Sequence, residues 1–225
     1  MFTRLVHVLV ALIALVTLSP VLALAAVGIR LSSDGPVLFR ANRVGLNGKI
    51  FCMYKFRTMH VAQDAGASPI TAKDDPRVFA FGSWLRRLKI DELPQLFNIL
   101  KGDMAIVGPR PEDPRIVSAS YAPPHLETLR ILPGLTSPGT LYYYLHAEQR
   151  IEVGDPQRYY VEQLLPMKLA FDLAYVREAG LFYDVRIVFR TIWAIVSIAM
   201  GAKTLPEPPE LAKVRELVYP TRQER

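Results

Sequence analysis

Cysteine is nearly absent from this chain: Cys52 stands alone among 225 residues. An intrachain disulfide is therefore impossible, no oxidising compartment is required, and a cysteine-based zinc site is excluded. Histidine is almost as scarce. His7, His60, His125 and His146 are scattered, with no metal-ligand spacing among them. The chain has no glycine-rich Walker loop, which argues against an ordinary nucleotide kinase or ATPase. It also has no internal repeat and no low-complexity tract. Residues 5–29 contain no Asp, Glu, Lys or Arg. What is abundant is apolar side chain, 51% of residues with a mean hydropathy of +0.18, and both values point to a membrane. The net charge of +6 and a pI near 9.5 fit nucleic acid, an anionic lipid surface or a phosphorylated substrate. The length suits one domain with chain left for a membrane element or tails.

Arg4 and Arg30 bracket the uncharged run. At about 1.5 Å per residue, a helix of this length could cross a hydrocarbon core of about 30 Å. Three readings compete. The run suits a plain transmembrane anchor. It also suits a signal peptide, with Arg4 as the charged start and Ala23-Leu24-Ala25 resembling a cleavage site. Ser19-Pro20 in mid-run favours a third, a broken, re-entrant helix. Pro20 removes one helical hydrogen bond and crowds the carbonyl of Val16, and the Ser19 hydroxyl can satisfy the freed backbone. Arg30, Arg40, Arg43 and Lys49 follow closely and assign the next segment to the cytoplasmic side.

Ser33-Asp34-Gly35-Pro36 reads as a turn. Residues 37–39 and 49–59 read as two strands around a turn at 42–48. Period two puts Lys55 and Arg57 on one strand face, a pattern that a solvated face explains equally well. Residues 63–75 read as a loop. Residues 81–88 form a short helix or turn carrying Arg86 and Arg87. Residues 104–107 form a buried strand, followed by Gly108-Pro109-Arg110-Pro111, where two prolines restrict the backbone around a guanidinium suited to a phosphate. Residues 123–139 are rich in Pro and Gly and read mostly as loop. Tyr142, Tyr143 and Tyr144 suit either core packing or a stacking surface. Residues 159–178 read as helix. Residues 184–200 read as an interfacial amphipathic helix carrying Arg186, Arg190 and Trp193, with a buried core helix as the alternative. Pro206-Glu207-Pro208-Pro209 reads as a linker to a peripheral charged tail.

Residues 89–103 organise the rest. Leu93, Leu96, Phe97 and Leu100 have the spacing of a helical apolar stripe. Pro94 belongs in a first turn, and Gly102 suits a stop. The helix is therefore expected to begin at Asp91 and Glu92, two carboxylates at its positive end. On local pattern alone they could simply cap the helix. In context, Lys55, Arg57, Arg86, Arg87 and Arg110 cluster around this acidic pair beside a membrane segment. Cations around carboxylates suit a polyphosphate substrate with a divalent metal, or a carboxylate nucleophile.

These residues resemble the bacterial sugar transferase family, the monotopic phosphoglycosyl transferases. The matching runs are Tyr54-Lys55-Phe56-Arg57-Thr58-Met59, Leu85-Arg86-Arg87, Asp91-Glu92-Leu93-Pro94-Gln95-Leu96-Phe97-Asn98, Lys101-Gly102-Asp103-Met104 and Val107-Gly108-Pro109-Arg110-Pro111. Ser19-Pro20 matches the family's helix break, and Asp184-Val185-Arg186-Ile187 resembles a late motif. The resemblance implies an α+β fold: a re-entrant membrane helix at 1–30, then a compact cytoplasmic catalytic domain at 31–202 of short helices, a small β-sheet and interfacial amphipathic helices. Residues 203–225 are expected to be linker and charged tail. The resemblance also implies transfer of a sugar 1-phosphate from a nucleotide diphosphate sugar, expected to be a UDP-sugar, to a polyprenol phosphate such as undecaprenyl phosphate, beginning a cell-envelope glycan. Asp91 is implied as the nucleophile toward the β-phosphate. Glu92 would assist by deprotonating the acceptor or by helping to hold Mg²⁺ with Asp91. Arg86 and Arg110 would hold phosphates, with Lys55 and Arg57 as weaker assignments. The expected location is the bacterial inner membrane, catalytic domain on the cytoplasmic face. Membrane lipid is an expected partner, nucleic acid is not, and a homodimer is left open.

The sequence departs from the family pattern in two places. Leu88-Lys89-Ile90 stands where small hydroxylated residues are usual. Residues 135–142 stand where a Gly-Trp-Ala-Gln-Val-Asn-Gly-Arg-like run is common, which leaves the donor sugar unassigned. Two other readings stay open: a metal-dependent membrane-bound nucleotide-sugar hydrolase, and a non-catalytic membrane-anchored binding protein in which Asp91 and Glu92 only cap a helix.

Overall fold

The computed structural model describes residues 2–61, 70–71, 75–146, 155–202 and 205–218. Most of the loop expected over 63–75 lies outside them. The uncharged N-terminal run forms two helices, α1 (Phe2–Thr17) and α2 (Ser19–Ser32), bent by 61°. The bend sits where Pro20 has no N–H to give. The Val16 carbonyl, which that N–H would have served, accepts instead from Ser19 Oγ at 2.8 Å. Among the described residues no single helix is long and apolar enough to cross a membrane, whereas the bent pair together passes that test of length and composition. The run is thus a broken pair and not a straight anchor.

Both halves of the pair are built into the fold. Ala11 and Leu15 pack with Met53, Leu96, Ile99 and Met104, while Ala25 and Ile29 pack with Phe56, Phe79 and Leu85. Gly28 permits the closest approach, since a Cβ there would lie 2.3 Å from the Phe81 ring. At the start of α1, the Arg4 guanidinium donates to the carbonyls of Ile99, Leu100 and Met104.

The expected hairpin forms with shifted boundaries. β1 (Leu38–Val44) pairs antiparallel with β2 (Ile50–Phe56), so the first strand is longer and the second shorter than the sequence suggests. Asn47 takes the left-handed conformation, φ 55°, that this tight reversal needs. Next come α3 (Ala80–Arg87), a 3₁₀ turn at Ile90–Glu92, and α4 (Gln95–Lys101). Gly102 ends α4 at φ 96°, as expected of a left-handed stop. The buried face of α4 is Gln95, Leu96, Asn98 and Ile99. Phe97, counted in the apolar stripe, is half exposed. Pro94 starts the helix later than the stripe implied and rotates the face.

β3 (Ala105–Val107) leads to α5 (Pro114–Ser120) and a 3₁₀ segment, Pro123–Arg130. β4 (Gly134–Thr136) then pairs parallel with β3. Much of the stretch read as loop is therefore ordered structure, and there are two small sheets where one was expected. α6 (Pro138–His146) carries the three tyrosines on a helix. Tyr142 packs on Phe171 and Tyr143 meets Tyr160 edge-on, so packing is the better account. α7 (Pro156–Tyr159) continues through a π turn at Tyr160–Leu164 into α8 (Leu165–Glu178). α9 (Leu181–Ala199) buries Ile187 and Ala194 and exposes Phe182, Val185, Phe189, Ile192 and Val196. The peripheral tail needs correction. It contains α10 (Leu211–Val218), whose Leu211 and Val214 are buried against Ala170 and Phe171 of α8. Glu210 accepts from Arg190 and Tyr183 and so ties this segment to α9.

Candidate active site

Between α3 and α4 the chain reverses through Lys89, a non-glycine residue in the left-handed region at φ 55°, ψ 20°. The reversal turns Asp91 and Glu92 inward on the short 3₁₀ turn, and both are buried. They do not begin α4, whose cap is Pro94, and no side-chain cap bond is made at either element. The helix-cap account of the acidic pair therefore has no support in the geometry. Asn98 fixes the turn relative to the hairpin: its amide donates to Cys52 O at 2.7 Å, and its Oδ1 accepts from Tyr54 N at 3.0 Å. That bridge aligns Lys55, the next residue on β2, with Glu92.

Glu92 is gripped from two sides. Arg110 donates through both terminal nitrogens, to Oε2 at 2.9 Å and Oε1 at 2.5 Å, and Lys55 Nζ donates to Oε1 at 3.2 Å. Burial alone would raise the Glu92 carboxyl, but Arg110 and Lys55 outweigh it and hold it well below the usual carboxylate range. Asp91 is the opposite case. Burial, with the Glu92 charge beside it, pushes its carboxyl up against the pull of Lys55, and its Oδ1 has no hydrogen-bond partner. One carboxylate is thus a fixed anion in a cationic grip, and the other is desolvated with an oxygen to offer.

Both line a cavity of about 140 Å³, with Arg43, Lys55, Arg86, Lys89, Arg110, Lys168, Glu112 and the aromatic rings of Tyr143, Tyr144 and Tyr160 also on its wall. Six cationic side chains face three carboxylates there, a surplus that suits a polyanionic ligand. Arg86 reaches the wall from the end of α3 and donates to Thr58 Oγ1 at 3.4 Å. The Arg110 backbone N–H points to Asp172 Oδ2 at 3.4 Å, and Asp172 Oδ1 also accepts from Gly139 N. Burial pushes the Asp172 carboxyl up to about 6. At the rear, Glu112 accepts from Lys168 and Tyr160, and Arg43 pairs with Asp113.

The structure therefore brings together Lys55, Arg86, Asp91, Glu92 and Arg110 as the sequence suggested. It does not bring Arg57 to them. β2 ends at Phe56, the pleat no longer applies, and the Arg57 guanidinium is spent on Ser33, Pro36 and Met59. Arg87 is not on the cavity wall, and Ser19 and Pro20 lie at the α1–α2 bend. Sequence reasoning missed Lys89, Glu112, Lys168 and Asp172, and left Tyr144 between core packing and a stacking surface. Lys168 and Asp172 left a readable signal, two opposite charges four residues apart in the apolar run that begins α8.

Among the described residues no group of three or more His, Cys, Asp or Glu is placed to hold a metal ion. A smaller set does fit Mg²⁺, which is typically held by one or two carboxylates plus substrate phosphates. Asp91 Oδ1 is unpartnered, and Glu92 Oε2 accepts one bond and so keeps a lone pair.

Comparison with known proteins places this geometry in context. The family model described as "Bacterial sugar transferase" matches residues 1–198. The chain is 39% identical, over 87% of its length and 38% of the relative's, to the UDP-glucose:undecaprenyl-phosphate glucose-1-phosphate transferase of Xanthomonas campestris pv. campestris. It is 36% identical to the undecaprenyl-phosphate glucose phosphotransferase of Komagataeibacter xylinus, over 81% of its own length and 33% of that protein's. It is 38% identical to the exopolysaccharide production protein ExoY of Sinorhizobium fredii, over 84% of this chain and 82% of the relative. The chain thus spans about a third of the two longer relatives' length and most of the ExoY protein's.

Proposed function

The chain belongs to the bacterial sugar transferase family, and from that premise we propose that it is a phosphoglycosyl transferase. It moves a sugar 1-phosphate from a UDP-sugar onto undecaprenyl phosphate and so starts a cell-envelope glycan. The observation that carries the reading is Asp91: a buried carboxylate with an unpartnered oxygen, in a cavity with a cationic surplus. An Asp91 oxygen bonds to the donor's β-phosphorus. The bond from that phosphorus to the bridging oxygen breaks, and UMP departs with the oxygen and the electron pair. The sugar phosphate is left on Asp91 as a mixed anhydride. A phosphate oxygen of the acceptor then bonds to the same phosphorus, and Asp91 leaves as carboxylate. Burial favours the first step, because a poorly solvated carboxylate with raised proton affinity is the stronger nucleophile.

Glu92, held far below the carboxylate range, is a poor base at neutral pH. While its bonds to Arg110 and Lys55 order those cations, the other implied role remains, helping Asp91 to hold Mg²⁺. That ion, when bound, offsets charge on the diphosphate. Each Arg110 terminal nitrogen spends one hydrogen on Glu92 and keeps another for a phosphate, and Arg86 supplies a second guanidinium. The α1–α2 pair is read as a re-entrant membrane helix that enters and leaves by the cytoplasmic face of the inner membrane. Its support is that both ends are fastened to one domain, Arg4 to the end of α4 and Ile29 to the Phe56–Phe79–Leu85 cluster.

The test is a donor screen with purified protein, Mg²⁺, undecaprenyl phosphate and a panel of UDP-sugars, read by UMP release, with Asp91→Asn alongside. Release that needs both lipid and Asp91, with labelled phosphosugar on Asp91 when lipid is withheld, is the expected result. Multiple turnovers without lipid would make the protein a nucleotide-sugar hydrolase instead.

A further inference from the structure

We infer that Lys89 contacts the diphosphate of the nucleotide-sugar donor and that Tyr144 positions it there, an inference that rests on the reaction proposed above. Lys89 Nζ lies 3.6 Å from the centroid of the Tyr144 ring, and both residues line the cavity with Asp91. At this distance an ammonium is attracted by the ring face, and burial strengthens the contact because water competes less. Tyr144 is 9% exposed and belongs to α6, so its ring is a fixed surface. Arg110 lies 5.8 Å from the same centroid. Arg110, at that greater distance, is held by its two bonds to Glu92 instead, so the ring acts on Lys89.

The backbone supplies the second argument. The reversal at residue 89 needs a left-handed residue, which glycine or asparagine adopts most readily. A lysine there accepts strain, and strained positions of this kind gather at ligand sites. The side chain gives the reason, for it crosses from the α3–α4 reversal to α6 along the cavity wall. The ammonium is a compact charge with three donors, which suits a phosphate better than a sugar hydroxyl. The wall already holds more cations than carboxylates, so the group that completes it is an anion.

The experiment varies the UDP-sugar selected by the donor screen at saturating undecaprenyl phosphate, for wild type, Lys89→Met, Lys89→Arg, Tyr144→Leu and the Lys89→Met/Tyr144→Leu double variant. Lys89→Met is expected to raise the donor KM about tenfold, on the scale of one lost charged contact, with much smaller changes in kcat and acceptor KM. Lys89→Arg recovers most of the loss. Tyr144→Leu raises the donor KM, and the double variant is no worse than Lys89→Met, because the ring acts through the lysine. In parallel, UDP raises the Tm of wild type more than that of Lys89→Met. If Tyr144→Leu fails to fold, the Met and Arg variants decide by themselves, since residue 89 is not in the core. Equal donor KM for wild type and Lys89→Met, or equal values for Met and Arg, overturns the inference while leaving the reaction intact. Absence of UMP release from wild type removes the reaction reading and this inference with it.

Discussion

At the scale of single residues, two adjacent carboxylates have opposite environments, and opposite predictions follow. The folded-state pKa of Asp91 is raised, so its favourable contribution to stability exists below the unfolded pKa and is lost as pH rises through the folded one. At neutral pH its ionised form therefore destabilises the fold. Asp91→Asn is expected to raise Tm at pH 7.5 while reducing UMP release by roughly 10³-fold or more, the scale seen when a covalent nucleophile is removed. Catalysis should also fall as pH drops through this raised pKa. The acid limb of kcat/KM, which reports the free enzyme, should then lie above the ordinary aspartate value of about 3.9, measurable in a pH–rate profile. Glu92 behaves inversely. Its folded pKa is depressed, so its stabilisation is present above the unfolded pKa and lost as pH falls through the folded one. Glu92→Gln leaves Arg110 without its buried counter-charge and should cost about 3–5 kcal/mol, seen as a lower chemical-denaturation midpoint. A Glu92→Gln protein as stable as wild type would refute the view that this ion pair is structural. The sequence displayed both acids, but it could not show that one is gripped and the other left with an oxygen free. That difference comes from Arg110, 18 residues away along the chain.

At the scale of elements, legibility followed the reach of the signal. The Ser19-Pro20 bend and the Gly102 stop were readable because proline and glycine act within a few residues. The start of α4 was misjudged because the left-handed reversal at Lys89 puts Asp91 and Glu92 on a separate 3₁₀ turn, and the length of β1 because its register with β2 extends it. Arg57 shows the same limit, since strand alternation holds only while the strand lasts. The parallel pairing of β3 with β4 had no sequence cue, because three-residue strands carry too little periodicity. The largest misreading was α10. Its Leu211 and Val214 bury at about 1.5–3 kcal/mol each, so a chain truncated after residue 205 should lose roughly 6–24 °C of Tm. Because Glu210 goes with it, amide exchange should quicken in α9, whose Arg190 and Tyr183 lose their acceptor. Unchanged exchange there would mean that α10 is a passenger.

At the scale of the whole molecule, apolar surface is concentrated on α1, α2 and α9, where Leu5, Val16, Leu24, Leu31, Phe182 and Phe189 are all exposed. A re-entrant arrangement predicts that, in a Cys52→Ser background, single cysteines at Leu5 and Ser32 are both labelled by an impermeant thiol reagent added to the cytoplasmic face. A straight crossing predicts labelling of one of the two. The Arg4 contact then acquires a meaning beyond packing. Its guanidinium closes the end of α4, the helix that follows the Asp91 turn, while its backbone begins the bent α1–α2 pair. On the re-entrant reading, insertion depth and the height of Asp91 would be one dimension of a single rigid part. The pair would then work as a depth gauge, with the lipid surface as its zero mark and the Asp91 cavity held at the level where an acceptor phosphate arrives.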